Sequence, residues 1–315
     1  MKKAANNHKC SRNSHPKPDE GNWHLTRRVF LKRSALLLAA PLFAGRALGQ
    51  REPMVRFGLL TDSHYADIET AGTRFYRESI AKMEEFTELA NEKGVDFVMH
   101  LGDLKNGASD HNLEHLKKIE SVYARFHGPR YHVLGNHDMD RISKDDVMSV
   151  IQNTGIDAAQ TYYTFEREGI RFVVLDANFT SDGIPYDSGN FHWTDANIPD
   201  AQIQWLDEIL ATSGEPVIIC THQLLDGDGG SVDVKNAAEV RSVLERHHNV
   251  LAVFQGHHHS GQYNQINGIH YYTLKAMVEG SGEENNSYAI VEVFADLSVS
   301  ITGYRKADGK KLVRS

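Results

Sequence analysis

Seven side chains suited to holding cations, and two suited to acid–base work, are gathered in five short clusters. These are Asp62 with His64, Asp103, Asn136-His137-Asp138, His222, and His257 with His259. Carboxylates, imidazoles and one amide oxygen, with no thiolate among them, suit borderline divalent metals such as Mn, Fe or Zn. Six or seven donors are more than one catalytic ion leaves room for, whereas two ions sharing a carboxylate accommodate them. Such a pair, roughly 3.5–4 Å apart, lowers the pKa of a bridging water so that hydroxide forms near neutral pH, and it clamps an in-line displacement at phosphorus.

Donors scattered over two hundred positions need a scaffold that gathers them. Each cluster follows an apolar run of strand length: Val55 to Leu60, Val95 to Leu101, Tyr131 to Leu134, Val217 to Cys220 and Val250 to Phe254. Arg171 to Leu175 is a further strand, ending at Asp176. Between the runs, Ile80, Met83, Phe86 and Leu89 recur at helical spacing until Gly94, and Leu113, Leu116, Ile119, Val122 and Phe126 until Gly128-Pro129. Pro199 to Leu210 reads as a third helix. Strand, loop, helix, repeated, predicts an α/β fold, and in open α/β sheets the ligand site lies beyond the carboxyl ends of the strands. After His259 the helical rhythm stops. His270–Leu274, Ser287–Val293 and Leu297–Tyr304 read as strands of a second, mostly antiparallel sheet. The aperiodic segment Asn178–Pro199 reads as a functional loop or lid.

Asp-x-His, Gly-Asp, Gly-Asn-His-Asp, Thr-His and Gly-His-x-His, in this order and each after an apolar strand, resemble the calcineurin-like metallophosphoesterase superfamily from Val55 to about His259. The resemblance implies a four-layer α/β/β/α sandwich of two mixed sheets flanked by helices. It implies that Asp62, His64 and His259 bind one divalent ion, that Asn136, His222 and His257 bind another, and that Asp103 bridges. His137 would face the leaving oxygen, with Asp138 orienting it; an imidazolium beside a carboxylate is a suitable proton donor. A purple-acid-phosphatase assignment fails, because Leu104, Lys105 and Asn106 follow Asp103 where a metal-bound tyrosine is expected.

The expected activity is hydrolysis of phosphate mono- or diesters of a small soluble substrate. Tyr65-Ala66-Asp67-Ile68, Arg74 and Tyr76-Arg77 look like the corresponding segment of the ADP-ribose/CDP-alcohol diphosphatase branch, which makes pyrophosphate hydrolysis the alternative. Asp62-Ser63-His64 and Gly-Asn-His-Asp are shared with the cyclic-nucleotide and glycerophosphodiester branch. Arg74 and Arg77 either hold a second phosphate or are exposed helix-start residues. Tyr65 is a further candidate contact. Phe191-His192-Trp193 either cover the site, with His192 touching substrate, or pack the lid down. Lys275 reaches phosphate or forms a structural salt bridge. His100 is expected in a buried strand or as a partner to a ligand. A non-catalytic scaffold is disfavoured because every ligand position and His137 are filled. A metal store is disfavoured because the histidines sit singly at strand ends rather than in runs.

Composition agrees with a globular chain: of 315 residues, 40% are hydrophobic, 9% aromatic and 24% charged, with a net charge of −8. The charge is divided unevenly. Up to Gly49 there are ten Lys and Arg against Asp19 and Glu20, and beyond it 24 basic residues face 40 acidic ones. So acidic a body repels phosphate backbones and anionic lipid, which argues against nucleic-acid or membrane-surface partners. Thr26-Arg27-Arg28-Val29-Phe30-Leu31-Lys32, a moderately apolar stretch from Ser34 to Gly45, and Ala47-Leu48-Gly49 match a twin-arginine export signal. We expect residues 1–49 to be a signal peptide cleaved after Gly49 or Ala44, read by the twin-arginine machinery. The expected destination is periplasmic or secreted, with 50–315 a single domain and no stable membrane anchor. Cys10 and Cys220 make no disulfide framework.

Overall fold

A computed structural model describes residues 51–107 and 109–314. The basic leader (1–49), its twin-arginine segment and Cys10 lie outside the described residues. In chain order the elements are β1 (Val55–Leu60), α1 (Ser79–Lys93), β2 (Phe97–His100), α2 (Asn112–Tyr123), β3 (Arg130–His132), α3 (Lys144–Val150), β4 (Tyr163–Arg167), β5 (Ile170–Val174), α4 (Asp200–Thr212), β6 (Val217–Cys220), α5 (Ala237–His247), β7 (Val250–Gln255), β8 (Gln262–Ile266), β9 (Ile269–Thr273), β10 (Ser287–Val293), β11 (Val299–Arg305) and β12 (Lys310–Leu312). They make two six-stranded sheets, ordered β12-β11-β10-β1-β2-β3 and β4-β5-β6-β7-β9-β8. Strands β1, β2 and β3 run parallel, as do β5, β6, β7 and β9. All other pairings are antiparallel.

The C-terminal strands therefore do not form a sheet of their own. Strand β9 joins the second sheet parallel to β7, while β10 and β11 complete the first sheet antiparallel to β1. Alternating hydrophobicity marks a strand and its buried face, but it carries no label for the sheet that face belongs to.

Period-2 alternation builds the layers. In β1, Val55, Phe57 and Leu59 face the core between the sheets, whereas Leu60 faces the helical layer of α1, α2 and α3. The second sheet does likewise: Phe172 and Val174 point inward, and Val173 packs on α4 and α5. The centre is aromatic. Phe57 stacks on Phe97 at 4.9 Å, Phe165 on Phe172 at 5.0 Å, and Phe57 meets Phe172 edge-on at 5.4 Å, joining the sheets. Full burial of each such ring stabilises by about 1.5–3 kcal/mol. Gly58 lets α1 approach: a Cβ there would lie 2.8 Å from the Phe86 ring. Cys220 is buried in the inter-sheet core as a free thiol. Among the described residues, no helix is long and apolar enough to cross a membrane. The outcome is two mixed sheets flanked by helices, the α/β/β/α sandwich expected from sequence.

Candidate metal centre

The turns after β1, β2, β3, β6 and β7 converge on one point. Three overlapping groups of ligand atoms, each within 4.8 Å of one another, are Asp62, His64 and His259; His64, Asp103 and His137; and Asp103, His222 and His257. His64 is shared by the first two groups and Asp103 by the last two. The Oδ2 of Asp103 lies 3.4 Å from His64 Nε2 and 3.2 Å from His222 Nε2, while its Oδ1 accepts a hydrogen bond from the His137 N–H at 2.8 Å. One carboxylate oxygen thus faces both halves of the cluster, as a bridging ligand must.

For Asp62, His222 and His259, surrounding hydrogen bonds set which atom faces the centre. Asp62 uses Oδ2 to accept from Thr61 Oγ1 and the His257 N–H, leaving Oδ1 buried with no partner. Asn136 Oδ1 is likewise buried and unpartnered. His222 Nδ1 donates to the Leu101 carbonyl at 2.7 Å, so Nε2 is the free ring nitrogen. His259 Nδ1 donates to Glu279 at 2.5 Å, which aims Nε2 inward. Nitrogen pairs then meet at 3.1 Å (His64 with His259) and 3.2 Å (His222 with His257). Convergent lone pairs and two orphaned oxygens, costly when buried without a partner, are what a pair of cations would satisfy. The donor set fits two divalent ions.

The electrostatics divide the four imidazoles. Burial opposes the charge on His222, yet the adjacent Asp103 carboxylate raises that imidazole to about 9. Burial likewise opposes the charge on His259, which the Asp62 carboxylate at 3.5 Å and the bond to Glu279 raise to about 9. Burial pushes His64 down to about 4 and His257 to about 3, the neutral form that coordinates metal. Asp62 resists the upward push of burial and is held well below the usual carboxylate range by His259 and His64. Backbone geometry is also unusual: Asp62, His64, Asp103 and His257 have φ of 52°, 44°, 58° and 65°, in the left-handed region. Between the second and third clusters the chain segments nearly touch, since a Cβ on Gly135 would fall 2.2 Å from the Asp103 nitrogen.

The expected acid–base pair is rearranged. Asp138 does not orient His137: its carboxylate accepts from the backbone N–H groups of Gly135, Asp103 and Leu104 at 2.8, 3.1 and 2.8 Å. In the 3-10 turn Asn136–Met139 this side chain folds back over the turn's own start, stitching the β3 loop to the β2 loop. Burial, with Asp103 nearby, pushes its carboxyl up to about 6. The partner of His137 is Asp140, which accepts from Nδ1 at 2.5 Å. Burial opposes the charged form of His137, but Asp103 and then Asp140 raise its pKa above the ordinary value. If the imidazolium is the working form, activity falls as pH rises through that pKa. Asp140→Asn removes the anion, so the alkaline limb of the kcat profile should move to lower pH with metal content unchanged. A limb that stays in place would assign it to another group.

The substrate candidates divide. Arg74 lines a cavity of about 510 Å³ beside Asp103, His137, His257, His259 and Glu279, with its Nε 3.6 Å from Glu279. Arg77 does not reach it, being tied to Asp67 and Glu69 on the surface. Lys275 is engaged with Asp308 at 2.8 Å. Tyr65 packs edge-on to His115 and lines a different depression. His192 is exposed and bonded to Thr194, and its neighbour Trp193 lines the metal cavity instead. Phe191 stacks on buried Tyr186 at 3.9 Å, so this tripeptide both pins the loop and borders the site. His100 is a buried support: it accepts from the Gly102 N–H and pairs with Ser63. Asp140 and Glu279 were not foreseen, because neither lies in an ordered cluster and only the folded turns show their pairing.

The family model for calcineurin-like phosphoesterases matches residues 55–261. The chain is similar to the manganese-dependent ADP-ribose/CDP-alcohol diphosphatase of Arabidopsis thaliana, 28% identical over 298 residues, covering 80% of this chain and 95% of the relative. The protein of the same description from Oryza sativa subsp. japonica is 27% identical, with 82% and 94% covered. Among solved structures, a dimetal phosphatase from Danio rerio superposes with a TM-score of 0.74 at 23% identity, covering 84% of this chain and 100% of that one.

Proposed function

The chain belongs to the calcineurin-like phosphoesterase family of metal-dependent phosphoester hydrolases, and from that premise we propose that it cleaves the P–O–P bond of small nucleoside diphosphate conjugates. This was the alternative to mono- or diester hydrolysis, and two supports favour it. Relatives named for ADP-ribose and CDP-alcohol diphosphatase activity cover most of the chain. The observation that carries the reading is Arg74, a guanidinium in the same cavity as the clustered ligands and able to hold a second phosphate by charge-assisted hydrogen bonds.

Asp62, His64 and His259 would hold one cation and Asn136, His222 and His257 the other, with Asp103 shared. Bound there, manganese or a similar divalent pair supplies Lewis acidity toward the phosphoryl oxygens and acidifies water. His137, held by Asp140 through Nδ1, presents Nε2 to the departing oxygen and gives it a proton. Arg74 orients the phosphate that is not attacked. The leader with Arg27-Arg28 supports export of the folded enzyme to the periplasm or beyond; cell fractionation, with a lysine pair as control, tests that.

Protein reconstituted separately with Mn, Fe and Zn should hydrolyse ADP-ribose and a CDP-alcohol faster than an aryl monoester, an aryl diester or a cyclic nucleotide. A clear preference for a mono- or diester would overturn the diphosphate reading. Arg74→Met should raise KM for the diphosphates by about tenfold to a hundredfold, the worth of a charge-assisted bond, and leave aryl monoester turnover and metal content near wild type. Equal losses on both substrates would remove Arg74 from phosphate recognition.

A further inference from the structure

We propose that Trp193 is the stacking surface for the ring of the substrate's nucleoside half, an inference that rests on the diphosphate reading and extends it from bond to base. Large apolar side chains exposed among the described residues are Ile184, Trp193 and Val313. Of these, Trp193 borders the metal cavity. It is 42% exposed and belongs to no apolar cluster, so packing does not explain it. Its ring meets His257 edge-on, with centroids 5.7 Å apart and planes at 61°. An indole is thus set beside a candidate metal ligand, in the cavity that also holds Arg74. Cation donors, a guanidinium and an open aromatic surface match the attacked phosphate, the second phosphate and the base of one ligand. Such a pocket, largely built in advance with a few convergent polar groups, is of ordinary ligand-binding size.

The segment that carries the indole is also held in place. Tyr186 is buried, stacks on Phe191, and donates its hydroxyl proton to the His192 carbonyl. The Ser188 and Gly189 N–H groups donate to the carbonyls of Ile142, just past the turn that carries His137, and Met139, at its end. At the start of the segment Asn178 donates to the Leu134 carbonyl and accepts from Gln223, tying it to the loops bearing Asn136 and His222. His192 lies nearly parallel to the indole at 6.3 Å. The segment is therefore a wall fastened to the catalytic loops, and little backbone freedom remains for it to lose on binding. Stacking tolerates any base because every base has a π face, consistent with relatives named for both adenine and cytosine conjugates.

The test uses the full chain loaded with manganese and calorimetric titration with AMP and with ribose 5-phosphate, which differ by the base. Wild type should bind AMP about tenfold to a hundredfold more tightly, the usual worth of one base stacked on an aromatic side chain. W193L should bring the two affinities together while keeping the ribose 5-phosphate affinity and two metals per chain, and W193F should retain most of the difference. Equal affinities in wild type, or a preference for AMP that survives in W193L, would overturn the assignment. The binding ratio needs no turnover. A protein that discriminates AMP through Trp193 yet does not cleave diphosphates would sink the diphosphate reading alone, and one that cleaves them with no AMP preference would sink only this inference.

Discussion

His137→Ala is expected to lower kcat by about 10²- to 10⁴-fold, the usual contribution of a positioned general acid, while the protein keeps two metals per chain. The imidazole is not among the groups needed to satisfy the orphaned oxygens. It reaches the centre through its backbone N–H to Asp103 and through its ring, edge-on to His64 at 4.8 Å. The loss should grow with the basicity of the leaving group. An aryl phosphate, whose oxygen departs without a proton, should be hurt least, and an alkyl phosphate most. A plot of log kcat against leaving-group pKa should therefore steepen in the variant. Equal slopes in wild type and H137A would deny the proton-donor role.

Asp103→Asn should behave in the opposite way. One oxygen of Asp103 faces His64 on one side and His222 on the other, so the substitution removes a full negative charge from between two cation sites. After dialysis, elemental analysis should find one ion or fewer per chain, and activity should fall by about 10³-fold or more, since two-metal chemistry needs both ions. The residual fold should survive, because the inter-sheet aromatic core lies away from the change. Retention of two tight ions in D103N would move the bridge to another residue. The two variants form a contrast: one loses chemistry with metals in place, the other loses metals.

The donors themselves were legible because each ends an apolar strand, and parallel topology forces strand ends together. Asp62, His64, Asp103, His222, His257 and His259 meet as that argument requires, and Asn136, in the turn after β3, holds a buried oxygen without a partner. What was not legible is set by turns and pairings. Asp138 follows His137 in sequence, yet a 3-10 turn points consecutive side chains apart and brings the residue three positions on, Asp140, to the ring. Lys275 and Arg77 have the charge to meet phosphate, but acidic neighbours from elsewhere in the fold claim them. Glu279 lies in a loop without periodicity and became visible only through His259. Of the strands after β7, β9, β10 and β11 are legible in the sequence and β8 and β12 are not, and the division between two sheets is legible for none, since it depends on pairing rather than on pattern.

The left-handed conformations at Asp62, His64, Asp103 and His257 bear on which residues can occupy these corners at all. Aspartate, asparagine and histidine are the side chains, glycine aside, that enter this backbone region most readily, and they are also the oxygen and nitrogen donors that borderline cations accept. Two independent filters, one steric and one chemical, pass the same short alphabet. Glutamate in place of Asp62 would pass the chemical filter and fail the steric one, burdening the bend. Anyone transplanting this centre into a new scaffold must carry over the corners as well as the donors.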